Sequence, residues 1–396
     1  MPRIKPEIET FARIKVVGIG GGGNNAVSRM VASQIKGVDF IAINTDAQQL
    51  HHCKAPQKIH IGKNLTKGLG SGMDPEIGRQ AAEENREEIH EALKGADLVF
   101  ITCGLGGGTG TGGAPVVAEA AKDTGALTVA VVTKPFNFEG VQRASVAEEG
   151  LLQLKERVDT LITIPNDRIL NLIDRNTSLV NAFQIVDDVL RQGVQGIADL
   201  IIYPGIVNVD FADIRAIMQD AGSALMGIGR AAGEDRALVA AKAAINSPLL
   251  EVSIDGAKGV LFNIYGGPDM GMMEINEAAK IITESVDPGA KIIFGATQDE
   301  RLKKGEIKIA VIATGFGPNN HYRRVSEDSS KIQSNGAKTI LVNVSNSAVR
   351  HSTEQNGEKL EKEETKDVKK RKIIPDSFPS EDGSDWEIPA FLRRKK

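Results

Sequence analysis

Two glycine-dense runs carry residue types able to hold a polyphosphate. GIGGGGNNA covers residues 18–26 and GLGGGTGTGG covers 104–113, where seven of ten residues are glycine. Glycine lets a backbone approach a ligand closely and leaves its N–H groups exposed. The candidate phosphate ligands are Gly21, Gly22, Gly23, Asn24 and Asn25 in the first run, and Gly107, Gly108, Thr109 and Gly110 in the second, with the Thr109 and Thr111 hydroxyls as further donors. Gly18, Gly20 and Gly23 alone satisfy G-x-G-x-x-G, with Asp39 and Asp46 near where a dinucleotide fold places its acid, so an NAD-dependent oxidoreductase is the alternative reading. Two such loops suit a nucleoside triphosphate better, and the absence of G-x-x-x-x-G-K-[ST] excludes a Walker P-loop. The best carboxylate pair for water chemistry lies elsewhere. Asp210 and Asp213 in NVDFADI are spaced i, i+3 around a helix start, where spacing alone makes Asp210 an N-cap. His51, His52 and Cys53 adjoin, but adjacent side chains diverge, so no metal site is expected there.

The elements that must position these groups are legible as an α/β pattern. Residues 14–18, 39–44, 97–103, 127–133 and 160–164 read as strands, with helices over 25–33, 75–93, 114–122 and 140–158. Asp74 caps the second of these helices, and Pro75 occupies its first turn. LTVAVVT reads as buried on both faces, which predicts a parallel sheet covered by helices, Rossmann-type in the broad sense. Residues 179–200 form a long amphipathic helix between domains. Beyond it, strands at 226–229, 260–265, 291–294 and 307–312 and helices at 236–245 and 273–285 predict a second α/β domain.

The chain has 396 residues, long enough for two domains and extra segments. A net charge of −4 argues against a nucleic-acid binder. Two cysteines, Cys53 and Cys103, exclude a disulfide scaffold and fit a reducing compartment. No apolar run reaches the ~18 residues of a membrane span, and Glu7 and Glu9 oppose a signal peptide. Between Tyr322 and Phe378 there is no aromatic residue and charge runs dominate, which predicts a disordered linker, with KTILVNV (338–344) as a candidate local strand. Phe378, Trp386 and Phe391 then crowd the C-terminus.

GGGTGTGG resembles the signature loop of the FtsZ family, the bacterial tubulin-like cell-division GTPases. GGGGNNA, INTDAQ, PFNFEG, IPNDRIL, RQGVQGI, NVDFADI and GSALMGIG resemble the same family, so the likeness covers residues 12 to about 317 and the extreme C-terminus. The resemblance implies a tubulin-like fold. Its parts would be a flexible segment at 1–11, a GTP-binding domain at 12–178, a central helix at 179–202, a smaller activation domain at 203–318, a linker at 319–384 and a partner-binding peptide at 385–396.

The family implies a GTP site with Mg²⁺ accompanying the nucleotide, partly hydrated. Phe183 and Asp187, i and i+4 on one helix face, would stack on the purine and accept from guanine N1–H and its amine, a donor pair adenine lacks. Asn166 would contact base or ribose, Glu139 and Arg143 the ribose and phosphates, and the GLGSG loop at 68–72 the γ-phosphate. In the family, Asp210 and Asp213, with Asn208 beside them, enter the nucleotide site of the next subunit and place the attacking water. The implied partners are further copies of the chain in a head-to-tail filament, and membrane-linked division adaptors bound through Ile388, Pro389, Phe391, Leu392 and Arg393 of EIPAFLRRKK, where Glu387 stands in place of the Asp of many members. The implied location is cytoplasmic, at mid-cell on the inner face of the membrane. A non-hydrolysing filament is the third reading, opposed by the presence of both aspartates.

Overall fold

The computed structural model describes residues 12–316, except 174–175, 203–204, 251 and 300–301. The segment 1–11, the linker, the 338–344 strand and the 385–396 peptide with Ile388, Pro389, Phe391, Leu392 and Arg393 lie outside the described residues.

The first half alternates strands and helices: β1 (Ile14–Ile19), α1 (Gly20–Ala32), β2 (Val38–Asn44), α2 (Ala47–His52), β3 (Gln57–His60), α3 (Lys63–Thr66), α4 (Pro75–Glu84), α5 (Arg86–Leu93), β4 (Leu98–Gly104), α6 (Gly108–Asp123), β5 (Leu127–Lys134), α7 (Val141–Lys155), β6 (Thr160–Pro165) and α8 (Asn166–Ile169). The second half holds α9 (Leu179–Ile202), α10 (Phe211–Met218), β7 (Gly222–Ala232), α11 (Arg236–Ile245), β8 (Gly259–Gly266), α12 (Met272–Glu284), β9 (Lys291–Gln298) and β10 (Glu306–Thr314). The strands form one sheet in the order β3-β2-β1-β4-β5-β6-β7-β10-β8-β9. β1 to β6 are all parallel, so Ile19, Asn44, Gly104, Lys134 and Pro165 end on one edge. The second strand set is not a separate sheet. β7 pairs parallel with β6 through Gly222–Ala224 and antiparallel with β10 beyond.

Alternate residues of each parallel strand enter opposite cores. Val16, Phe100 and Val129 meet Val27 and Met30 of α1 and Val186, Val194 and Ile197 of α9. Val17, Val99 and Ile101 meet Ala81, Ile89 and Val117 from α4, α5 and α6. Both faces are covered, as the apolar strand runs require. Each such α9 residue contributes about 1.5–3 kcal/mol.

Several elements differ from the sequence reading. The helix expected over 75–93 is two helices, because Asn85 turns its side chain to other work: Oδ1 accepts from Gly62 N–H at 3.0 Å and Nδ2 donates to Glu88 at 2.9 Å. Asp74 does cap α4, accepting from Glu76 N–H, with Pro75 in the first turn. α1 begins at Gly20 and α6 at Gly108, so half of each glycine run is the opening turn of a helix. Part of the glycine in the second run serves packing. A Cβ on Gly112 would stand 1.8 Å from Pro75 O, and one on Gly78 2.2 Å from Gly108 O, so α4 and α6 cross at backbone contact. β3, α2 and α3 occupy a stretch whose sequence shows no periodicity.

Candidate functional site

The carboxyl edge of the parallel strands gathers the candidate ligands. Gly20 turns the chain from β1 into α1 with φ +66°, a left-handed value that favours glycine. A Cβ there would meet Gly110 N at 3.0 Å, so the first turns of α1 and α6 abut. Their unpaired N–H groups and dipoles converge on one spot, which suits an anion. A Cβ on Gly107 would meet nothing within 4 Å, leaving open space beside that spot.

Three side chains around the edge have buried polar atoms without a protein partner: both side-chain atoms of Asn24, Nε of Arg143 and Oδ1 of Asn166. Asn24 is only 1% exposed. Orphaned buried polar atoms are costly and rare. Here three sequence-predicted residues from α1, α7 and α8 carry them together, which fits a polar ligand in their midst. Glu139 accepts from Phe136 N–H and pairs with Arg143 at 2.5 Å. Asn25 is exposed on α1. The Thr109 hydroxyl bonds those of Thr45 and Ser71, and Thr111 Oγ1 accepts from Gly106 N–H at 2.9 Å. The expected threonine donors thus both have partners inside the protein.

The pair expected to read the base, Phe183 and Asp187, lies on α9. Phe183 is half-exposed and meets the buried Phe136 edge-on at 5.6 Å, and Phe136 stacks on the exposed Phe138, forming an aromatic shelf. Asp187 accepts from Arg29 Nε at 3.1 Å. Burial pushes the Asp187 carboxyl above its ordinary range, while Arg29 pulls it back. Arg29 was not predicted: it lies 158 residues away in sequence, and no local pattern marks it. Thr45 and the Phe136 ring were not singled out, although INTDAQ and PFNFEG contain them, whereas Ser71 lies in the 68–72 loop expected at the γ-phosphate.

Asp210, Asp213 and Asn208 are not brought to this edge. Asp210 caps α10, accepting from Ala212 N–H at 2.9 Å, and Asn208 Oδ1 accepts from Gly205 N–H. Arg215 of α10 donates to Gly125 O, just before β5, which fixes α10 at the amino edge of the parallel strands. α9 separates the two groups: its 24 residues span about 36 Å. Among the described residues no cluster of three His, Cys, Asp or Glu side chains suits a metal ion. Burial pushes the Cys103 thiol up to about 12. No helix among the described residues is long and apolar enough to cross a membrane.

The model of the Tubulin/FtsZ family GTPase domain matches residues 13–174, and that of the FtsZ family C-terminal domain matches 222–317. An empty FtsZ dimer from M. jannaschii is 50% identical, with a TM-score of 0.74 over 77% of this chain and 89% of that one. A single-site mutant of FtsZ from M. jannaschii matches with the same identity and TM-score over 77% and 92%. The chain belongs to the FtsZ family. It has the Tubulin/FtsZ fold, and as a member of a GTPase family it binds GTP and GDP and hydrolyses GTP. The oxidoreductase reading of Gly18, Gly20 and Gly23 is therefore not favoured. CetZ2 from Haloferax volcanii, a GTPγS-bound protofilament, shares the fold at 22% identity and TM-score 0.68 over 79% and 95% of the two chains.

Proposed function

We propose that this FtsZ-family GTPase assembles head to tail and hydrolyses GTP at the junction between subunits. The observation that carries the reading is a separation: the candidate base and phosphate ligands at the carboxyl edge, the Asp210–Asp213 pair at the amino edge, with α9 between them. Neither half can complete a reaction within one subunit. A second copy supplies the missing half, and a heterologous contact of that kind propagates as a filament. In this reading Asp187 accepts from guanine N1–H and its exocyclic amine, and Phe183 stacks on the ring. Asn166 bonds base or ribose, and Glu139 and Arg143 bracket the ribose and phosphates. Gly21, Gly22, Gly23, Asn24 and Asn25 with Gly107, Gly108, Thr109 and Gly110 hold the phosphates. Mg²⁺ accompanying the triphosphate would supply charge neutralisation to the transferred group, and no side chain among the described residues is assigned to hold it. Asp210 and Asp213 of the neighbouring subunit orient the water for in-line attack, with Asn208 holding their loop.

The filament forms the cytokinetic ring at mid-cell, in the cytoplasm against the inner face of the membrane. The peptide 385–396, through Ile388, Pro389, Phe391, Leu392 and Arg393, docks membrane-linked division proteins and recruits others. Its physical support is a set of apolar anchors following a long aromatic-free tether. The first test is Asp213→Ala, measured for GTP binding and for phosphate release. GTP affinity stays within about twofold of wild type while release falls roughly a hundredfold or more. Release at the wild-type rate would remove Asp213 from the mechanism.

A further inference from the structure

Asp210 and Asp213 ride on a short element, so whatever holds that element decides where they stand. α10 has 8 residues and is about 12 Å long. Asp210 caps it and Asp213 lies in its first turn, both exposed, while Ile214, Ile217 and Met218 are buried in the core shared with α9. Apolar burial is non-directional: it presses α10 against the sheet without fixing its rotation or its position along its own axis. Hydrogen bonds are directional and can fix both.

The last carbonyls of a helix have no partner within it. In α10 the Gln219 N–H takes that of Arg215, and two buried threonines take the last two. Thr160 Oγ1, at the start of β6, donates to Met218 O. Thr314 Oγ1, at the end of β10, lies 3.2 Å from Ile217 O and 3.3 Å from Gly259 O, so its one proton is divided between two acceptors. Among the described residues Met218 O is the one acceptor of the Thr160 hydroxyl, which makes Thr160 the firmer grip. Its own strand is anchored in turn. The Asp159 carboxylate accepts from Thr128 N–H at 2.8 Å and from Lys122 Nζ at 3.1 Å, and Gly222 N–H donates to Asp159 O at 2.9 Å. β6 puts about 17 Å between Thr160 and Pro165, the neighbour of Asn166, so Thr160 stands clear of the nucleotide ligands.

We propose that Thr160 is a positioning residue for hydrolysis: its hydroxyl fixes the far end of α10 and, through α10, the stance of Asp210 and Asp213 toward the next subunit's nucleotide. The inference rests on the shared-catalysis reading. A displacement of about 1 Å at the reacting groups can cost about a hundredfold in rate, so a bond lost at one end of so short a helix is felt at the other. The test is phosphate release from mixed filaments of full-length chains, a little of one variant added to a large excess of Asp213→Ala. Each added subunit then meets Asp213→Ala on both sides, and the only intact aspartate pair at any junction is its own. Thr160→Val keeps the shape and loses the donor. It releases about tenfold less phosphate per added subunit than wild type, while its own GTP affinity stays within about twofold. Thr160→Ser restores the donor and the rate, and Thr314→Val, which relaxes the second grip, costs about threefold. Thr128→Val is the control: it removes an equally buried hydroxyl from neighbouring β5, one that donates to Ala126 O rather than to α10, and leaves release at the wild-type level. Thr160→Val additions that match wild type, or Thr128→Val additions that lose as much as Thr160→Val, overturn the proposal. Should Thr160→Val not fold, Thr314→Val carries the test, and full release by it overturns the proposal. Release at the wild-type rate by Asp213→Ala alone removes the shared site beneath the proposal instead.

Discussion

At Asp187 two influences oppose each other: burial raises the carboxyl above its ordinary 3.8, and the hydrogen bond and charge of Arg29 lower it. The net direction is upward, which gives its chemistry a pH signature. Accepting from two guanine donors requires the ionised form, so GTP affinity falls on acidification before ordinary carboxylates titrate. For folding the sign is the reverse. A carboxyl held above its unfolded value contributes stability below that unfolded value and loses the contribution as pH rises through the folded one. Asp187→Asn turns one acceptor into a donor facing guanine's own donors. It weakens GTP binding roughly tenfold or more and narrows the gap between GTP and ATP, measured by competition titration; unchanged affinity would remove Asp187 from base recognition. At this scale the sequence was partly legible. The four-residue spacing of Phe183 and Asp187 marks a shared helix face, and glycine density marks the two turns where α1 and α6 begin. Arg29 and Thr45 were illegible, because each meets its partner only through the tertiary fold, 158 and 64 residues away.

Glycine plays two parts in α6, and substitution separates them. Gly112 lets α4 approach until Pro75 O would stand 1.8 Å from an added Cβ, whereas Gly107 has nothing within 4 Å. Gly112→Ala destabilises the fold by about 3 kcal/mol, read as a lower urea midpoint, because a backbone carbonyl must move. Gly107→Ala keeps the wild-type midpoint within about 0.5 kcal/mol and instead weakens GTP binding. A destabilised Gly107→Ala with normal nucleotide affinity would contradict that division. The long strands were legible because parallel strands buried on both faces read as continuous β-branched runs. The break at Asn85 was not, since its cause is a side chain reaching Gly62 across the fold. Nor were the true starts of α1 and α6, because helix propensity argues against glycine in an opening turn that here is stabilised by close packing.

Across the whole molecule, the candidate nucleotide ligands and the Asp210–Asp213 pair stand at opposite edges of the parallel sheet, with the roughly 36 Å of α9 between them. Under the proposed reading, that division makes activity a property of the assembly. In the proposed reading the tail has a different task. Deleting residues 385–396 leaves phosphate release and light scattering near wild type while recruitment to the division site is lost; a truncated chain that still localises there would refute the docking role. The α/β class was legible from the alternation of strand and helix, but the sharing of β7 between the two strand sets was not, because strand pairing across a long connection leaves no local mark. Shared catalysis is the central claim, and its most direct measurement is phosphate released per subunit against protein concentration. The rate per subunit is near zero below the concentration at which scattering appears, then rises to a plateau above it. A rate per subunit that is constant across that range would show that one subunit hydrolyses GTP unaided.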